Sequence, residues 1–111
     1  MPGVFTSKRF ADGRISTVLG PLFLVGSGER AYVKFANLYN ISTSIVVIDV
    51  RIYSADTGTT RKWRRIELEP DESYDLLEYD RSVELSPGDS IQASATVGNA
   101  IDYVITGVIE T

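Results

Sequence analysis

The hydrophobic residues of this chain alternate with other residues along most of its length. In the segment 46–53, Val46, Ile48, Val50 and Ile52 take every second position. A period of two is the pattern of a β-strand that buries one face. The same alternation recurs in the segments 30–39, 89–97 and 102–110. No window keeps the period of an amphipathic helix, so the chain is predicted to be all-β.

Turn residues divide the chain into about seven predicted strands, spaced as in a β-sandwich. These strands are 15–25, 30–39, 45–54, 61–68, 73–79, 89–97 and 102–110. Residues 55–58 link two of them at hairpin distance, and Gly98 with Asn99 predicts a two-residue hairpin with positive φ at its first position. The pattern predicts an antiparallel β-sandwich of jelly-roll or Ig-like type. Its predicted core is Val33, Phe35, Val46, Ile48, Val50, Ile52, Ile91, Ala93, Ala95 and Ile105.

Residues 1–14 lie outside this pattern and are predicted to form an N-terminal arm on one β-sandwich domain, residues 15–111. A chain of 111 residues and 12.2 kDa suits a single core. The arm carries the apolar residues Val4, Phe5 and Phe10. Ordering such a segment costs about 1–2 kcal/mol per residue in backbone entropy. We therefore expect it to order against a partner surface or the rim of its own sandwich, which makes these three residues candidates for partner binding.

The composition argues against an enzyme. The chain contains no histidine and no cysteine, so it lacks the usual general base, the thiol nucleophile and the commonest transition-metal ligands. We expect no catalytic residue, no metal-binding residue and no cofactor. The longest apolar runs fall well short of the roughly 20 residues that cross a bilayer, so no membrane partner is expected.

The charge is unevenly distributed along the chain. The net charge is −4, which disfavours a nucleic-acid partner. Four cations nevertheless surround a tryptophan, and eight acids and one base follow between residues 66 and 84. This basic segment is Arg61, Lys62, Trp63, Arg64 and Arg65. It could bind phosphates or a polysaccharide. We favour a guarded edge strand or a set of ion pairs with another subunit, because the acidic balance would repel a polyanion.

A carbohydrate-binding module is one alternative function, with Trp63 and two or more tyrosines on one concave face, and a cell-surface adhesion domain is another. The chain has six tyrosines, at positions 32, 39, 53, 74, 79 and 103. Tyrosine is also common wherever a strand is half-buried, because the ring packs while the hydroxyl stays hydrated. The residues Asn40-Ile41-Ser42 match the glycosylation sequon. Without a convincing secretion signal, we interpret this match as chance.

Four segments resemble a known layout of strands and turns. They are Tyr32-Val33-Lys34-Phe35-Ala36-Asn37, the Val/Ile-rich residues 45–52, Leu85-Ser86-Pro87-Gly88-Asp89-Ser90-Ile91-Gln92-Ala93, and Val104-Ile105-Thr106-Gly107. In this order they are similar to small β-sandwich virion proteins of tailed bacteriophages, of the head-decoration or tail-associated type. The layout consists of structural turns and strands, so it carries no catalytic or binding residue over to this chain.

The resemblance implies a non-enzymatic virion component that is present in many copies. We expect a capsid decoration, or cement, protein that binds the capsid lattice and its own copies, with a tail or fibre component as the alternative. The implied partners are the major capsid or tail protein and further copies of the chain, as a homo-oligomer such as a trimer. Such a protein would be found in the virion after assembly in the cytoplasm of a bacterial host.

Overall fold

A computed structural model describes residues 3–77 and 82–111 of the chain, and this part contains nine β-strands and no helix. Accordingly, none of the described residues belongs to a helix that could span a bilayer. The strands are β1 Phe5–Arg14, β2 Gly20–Leu24, β3 Arg30–Asn40, β4 Val46–Ser54, β5 Thr59–Leu68, β6 Ser73–Asp75, β7 Val83–Leu85, β8 Ser90–Ala95 and β9 Ile101–Glu110.

The strands form two antiparallel sheets. The first sheet has the order β1-β9-β3, and both β6 and β7 pair with the outer edge of β3. The second sheet has the order β2-β8-β4-β5. The first strand thus pairs with the last, and the second strand pairs with the last but one, which is the strand order of a jelly roll. The predicted all-β sandwich is confirmed, and its type is the jelly roll.

The core lies between the two sheets. Nine predicted core residues pack there, fully buried except for the half-buried Ile52. Phe35 is the exception, with 45% of its surface exposed. A β-bulge between Val33 and Phe35 leaves Lys34 without a partner on β9 and shifts the alternation by one residue. Ala36 and Leu38 therefore point into the core, and Phe35 points to solvent.

The pattern predicts an N-terminal segment without a strand, and this prediction is wrong. Residues 5–14 form β1, which pairs with β9 along its whole length. β1 lies at the edge of its sheet and most of its residues are exposed, so no buried face imposes an alternating pattern on its sequence. In the predicted strand 15–25, residues 20–24 alone are a strand.

Two turn predictions have different outcomes. The connection 55–58 is a hairpin between β4 and β5, closed by a hydrogen bond of 2.8 Å from the Gly58 N–H to the Ser54 carbonyl. Gly98 and Asn99 do not form a hairpin, because β8 and β9 belong to different sheets. The positive φ, 56°, lies at Asn99. Of the predicted strand 73–79, only Ser73–Asp75 is a strand, β6; residues 76 and 77 lie in a turn, and residues 78 and 79 lie outside the described residues.

Candidate functional site

The sandwich has two long open edges, β1 in the first sheet and β5 in the second. Both strands have ten residues. Within the described residues, β1 pairs with β9 alone and β5 pairs with β4 alone. An edge strand leaves half of its backbone N–H and C=O groups without a strand partner, which makes it a natural site for contact with another chain. All the sequence-predicted binding residues lie on or directly beside these two strands.

Phe10 closes the side of the sandwich at β1. A bulge between Arg9 and Ala11 leaves Phe10 without a partner on β9. Its half-buried ring stacks on Phe23 of β2, with ring centroids 4.6 Å apart and an interplanar angle of 9°. The ring of Phe10 therefore joins the two sheets of its own chain.

Gly107 of β9 permits this arrangement. A Cβ atom at this position would lie 2.0 Å from the Tyr32 carbonyl oxygen and 2.9 Å from Cε2 of Phe10. Both distances are far below van der Waals contact, so a side chain here would force the strands or the ring apart. The bulges in β1 and β3 both lie opposite this part of β9.

The beginning of β1 keeps its apolar side chains in solvent. Val4 is 64% exposed and Phe5 is 61% exposed. The backbone of Val4 is fixed by two hydrogen bonds exchanged with Thr111, each of 3.0 Å. The Phe5 ring lies 6.3 Å from the Tyr32 ring. These apolar groups are therefore held in place on the surface.

Phe5 belongs to a patch on the outer face of the first sheet. The pairing of Tyr32 with Val108, and of Phe35 with Thr106, places these residues side by side on that face. We call the four apolar residues of this patch the apolar strip: Phe5, Tyr32, Phe35 and Val108. Such a patch on a sheet surface is typical of a contact with another protein.

Polar pairs flank the apolar strip. The Tyr32 hydroxyl donates a hydrogen bond of 2.8 Å to Glu110. This bond, together with partial burial, raises the pKa of Tyr32 above its ordinary value of 10.0. Arg30 forms an ion pair with Glu84 across the same sheet. These contacts hold the surface residues in defined positions.

The basic segment of β5 does not form one cluster. Lys62 pairs with Arg51, and Arg65 pairs with Asp49, so both cations lie on the outer face of the second sheet. A bulge leaves Trp63 without a partner on β4. Arg64 pairs with Val50 and Arg61 pairs with Ile52, so the cations are divided between the outer and the inner face of the second sheet.

Trp63 occupies in β5 the position that Phe10 occupies in β1: an aromatic residue at a bulge, with its ring turned towards the core. Its half-buried ring packs against the core, and the Arg64 guanidinium lies 5.6 Å from its ring centroid. A groove of about 370 Å³ beside it is lined by Ile52, Ser54, Thr57, Arg61, Lys62, Trp63, Val83, Glu84, Leu85 and Asp89. Two carboxylates in this lining are already engaged: Glu84 with Arg30, and Asp89 with backbone N–H groups of neighbouring turns.

The described tyrosines do not gather around Trp63. Tyr32 and Tyr39 lie on β3 of the first sheet, and Tyr53 lies on the outer face of the second. Tyr74 and Tyr103 pack against the core. Tyr79 lies outside the described residues. Among the described residues, therefore, no tyrosine lines the groove beside Trp63.

Asn40 of the sequon is buried. Its amide nitrogen donates hydrogen bonds to the carbonyls of Ser44, at 2.8 Å, and Leu68, at 3.0 Å. Its side-chain oxygen accepts bonds from the backbone N–H and the hydroxyl of Ser42. All these groups are needed to hold two loops together, so the Asn40 amide is inaccessible to glycosylation in the folded chain.

Sequence reasoning missed the apolar strip apart from Phe5. Phe35 belongs to the predicted core, Tyr32 is predicted only as one of six tyrosines of a possible sugar-binding face, and Val108 is not predicted as a contact residue. The bulge that exposes Phe35 has no signal in the alternation. In the part of the chain that the structure describes, no group of three or more acidic side chains is placed to hold a metal ion.

No protein-family model matches this chain, and no curated protein matches it either. Among solved structures, the chain is similar to a Bacillus endospore appendage protein of a family described as disulfide-linked pili. The TM-score is 0.59 at 13% identity, over 98% of this chain and 89% of that chain. At this identity the likeness shows a shared fold alone.

Two further structures are less similar. The Drosophila NLP core, described in terms of pentamer formation and histone binding, has a TM-score of 0.49 at 11% identity, over 91% of this chain and 98% of that one. The CBM22-1–GH10 modules of a Clostridium thermocellum xylanase, complexed with xylohexaose, have a TM-score of 0.39 at 14% identity. This chain aligns over 99% of its length with 24% of that chain. These two likenesses are too weak to support a functional argument.

Proposed function

We propose that this chain is a non-enzymatic structural subunit of a multi-copy assembly. The observation that carries the proposal is the apolar strip on the outer face of the first sheet, directly beside the open edge of β1. Its Phe5 and Phe35 rings are 61% and 45% exposed. Exposed rings on a broad sheet face suit contact with a second protein surface, whereas small ligands are usually bound in a concave pocket.

In its most specific form, the proposal is a capsid decoration protein of a tailed-phage virion. This chain would bind the major capsid protein and its own copies, and it would be incorporated as the particle assembles in the host cytoplasm. The resemblance of residues 30–110 to small phage virion proteins supports this form. A tail protein is the partner in the alternative form, in which the chain is a tail or fibre component.

A fibre subunit is supported by a second observation. The endospore appendage protein, which belongs to a family of pili, shares the sandwich fold of this chain over nearly its whole length. The present chain has no cysteine. Copies of it in a fibre would therefore not be joined by disulfide bonds.

The carbohydrate-binding alternative rests on the groove beside Trp63. One aromatic ring, packed against the core and accompanied by Arg64, offers a smaller platform than the concave aromatic face that this function requires. We therefore rank it below the structural role.

The test is the mass of the full chain in solution. We expect sedimentation and light scattering to give masses above the 12.2 kDa of one chain, rising with concentration. The double variant Phe5→Ser, Phe35→Ser should lower this mass, because it removes both exposed rings. Thr60→Ser on β5 is the matched control and should leave the mass unchanged. A chain that stays monomeric at every concentration and binds a glycan array would contradict the proposal.

The virion form has its own test. The virion form predicts that the chain sediments together with phage particles in a density gradient, at a fixed ratio to the major capsid or tail protein. A chain recovered at the top of the gradient and absent from every particle fraction would contradict the virion form, while the solution mass would still test the general proposal.

A further inference from the structure

The outward backbone groups of β1 can be identified from its first contact with β9. Val4 and Thr111 exchange both of their backbone hydrogen bonds. In an antiparallel pair, hydrogen-bonded and non-hydrogen-bonded positions alternate. The N–H and C=O groups of Phe5, Ser7 and Arg9 therefore point away from β9. Within the part of the chain that the structure describes, no strand pairs with this side of β1.

The other sheet edges are poorly suited to pairing. β2 has five residues and contains Pro21, and β6 and β7 have three residues each. β5 has the necessary length, but four of its residues between 61 and 65 are cations. Pairing of β5 with itself would bring eight positive charges together, and pairing with β1 would add Lys8 and Arg9. Like charges on neighbouring strands are unfavourable.

Pairing of β1 with a second β1 avoids this repulsion in one register. When Ser7 lies opposite Ser7 of the second copy, Phe5 lies opposite Arg9 and Thr6 lies opposite Lys8. No two like charges are then directly opposed. Each exposed Phe5 ring gains the side chain of an arginine, which favours contact with an aromatic face. The outward groups supply about six backbone hydrogen bonds before the bulge at Phe10 ends the run.

We propose that two copies of this chain pair through residues 5–9 of β1, antiparallel, about a twofold axis at Ser7. This inference rests on the proposed multi-copy function and names its partner surface: a second copy of the chain. The two first sheets become one continuous sheet. Because the twofold axis is perpendicular to the sheet, both apolar strips lie on the same face. The pair thus presents a doubled apolar surface to the rest of the assembly.

The pairing is tested by disulfide cross-linking. Facing residues of a hydrogen-bonded antiparallel pair have Cα atoms about 5.5 Å apart, which is within the range of a disulfide. The chain has no cysteine, so Ser7→Cys introduces a single thiol at the twofold axis. Two such thiols lose two protons and two electrons to an added mild oxidant, oxidised glutathione, as the S–S bond forms. We expect rapid conversion to a covalent dimer.

The matched control is Thr60→Cys, which places an exposed thiol on β5. It should remain largely monomeric under the conditions that cross-link Ser7→Cys. Equal rates of cross-linking for the two variants would overturn the inference. The folded state of both variants is checked by circular dichroism before oxidation.

A second variant tests the pairing without a cross-link. Ser7→Pro removes an N–H that points away from β9, so it blocks the edge and leaves the β1–β9 hydrogen bonds in place. We expect the mass to fall below that of the wild-type chain, while Ser7→Ala keeps the wild-type mass. A Ser7→Pro protein with the wild-type mass would contradict pairing through β1.

The outcomes separate this inference from the proposed function. If the wild-type chain associates but neither Ser7 variant behaves as expected, the inference fails and the structural role stands. If the wild-type chain neither associates nor joins a particle, the structural role fails as well.

Discussion

The two edge strands β1 and β5 have similar geometry, but their exposed side chains differ. Each has ten residues, and each contains a bulge from which one aromatic ring turns towards the core: Phe10 in β1 and Trp63 in β5. Three of the six exposed positions of β5 are cations: Arg61, Lys62 and Arg65. The exposed positions of β1 include Phe5 and Ser7 beside the cations Lys8, Arg9 and Arg14, with Arg9 in an ion pair with Asp12 at 3.1 Å.

This difference indicates how the molecule uses its edges. Cations along an edge are a common protection against unwanted strand pairing. The cations of β5 would therefore oppose pairing of the second sheet with another strand of like charge. Over residues 5–9, β1 carries the two cations Lys8 and Arg9, fewer than the four in residues 61–65, and the exposed apolar residues Val4 and Phe5 stand at its start. The same architecture thus gives one edge with a dense run of cations and one edge with fewer cations and with exposed apolar residues.

The largest expected effect comes from removing β1. Deletion of residues 2–13 takes away a strand that pairs along β9 and the Phe10 ring that covers Phe23. We expect a loss on the order of 5 kcal/mol in the free energy of unfolding, a large part of the stability of a small domain. Chemical unfolding followed by circular dichroism measures it. A truncated protein that unfolds like the wild type would restore the view of residues 1–14 as a separate arm.

The next effect compares the two inward aromatic rings. Phe10→Ala and Trp63→Ala should each cost about 1–3 kcal/mol, because each half-buried ring closes one side of the sandwich. The measurement is the free energy of unfolding of each variant, with the exposed-ring change Phe5→Ala as the control at under about 1 kcal/mol. A Phe10→Ala cost no larger than that of Phe5→Ala would mean that Phe10 does not hold the sheets together.

These two rings also show which features of the fold can be predicted from the sequence. The sequence indicates Trp63 as a candidate contact residue because cations surround it, whereas Phe10 lies in a segment without alternation. The bulges that turn both rings inward are produced by pairing with distant strands. The same cause explains Phe35, which one extra residue, Lys34, moves from the core to the surface. Strand patterns within β3, β4, β8 and β9 were readable because one face of each is buried.

Composition alone could identify some of the candidate contact residues, but their arrangement depends on the sheet register. The apolar character of Val4 and Phe5 was evident from composition, and both are indeed exposed. Tyr32 and Val108 could not be linked to them, because their proximity arises from the register between β1, β9 and β3. The sheet order, which makes β1 an edge, likewise depends on the whole jelly roll.

Contacts through the two edges should differ in how strongly they depend on salt. If the cations of residues 61–65 meet acids of a neighbouring subunit or lattice protein, that contact should weaken between ~0.05 and ~0.5 M salt, because exposed ion pairs are screened. Pairing through β1 opposes no charges of either sign directly, so its dissociation constant should change little. Binding to particles and self-association are measured separately across this range. Particle binding that does not respond to salt would show that the basic segment is simply solvated.

The smallest expected effect concerns Tyr32 in the apolar strip. Its hydrogen bond to Glu110 raises the pKa of the folded state above the ordinary 10.0. This contribution to stability is therefore complete below pH 10 and is lost as the pH rises through the folded-state pKa. Tyr32→Phe should remove this part of the decline in unfolding free energy at high pH. An unchanged decline in the variant would mean that the bond to Glu110 does not form in solution.

The most direct test of the account is amide hydrogen exchange in β1 at two protein concentrations. The N–H groups of Thr6 and Lys8 point to β9 and should be protected at both concentrations. The N–H of Ser7 points away from β9 and gains a partner only when a second copy pairs with this edge. We expect its exchange to be fast in dilute protein and to slow markedly as the concentration rises. Exchange of Ser7 that stays fast in concentrated, associated protein would contradict assembly through β1.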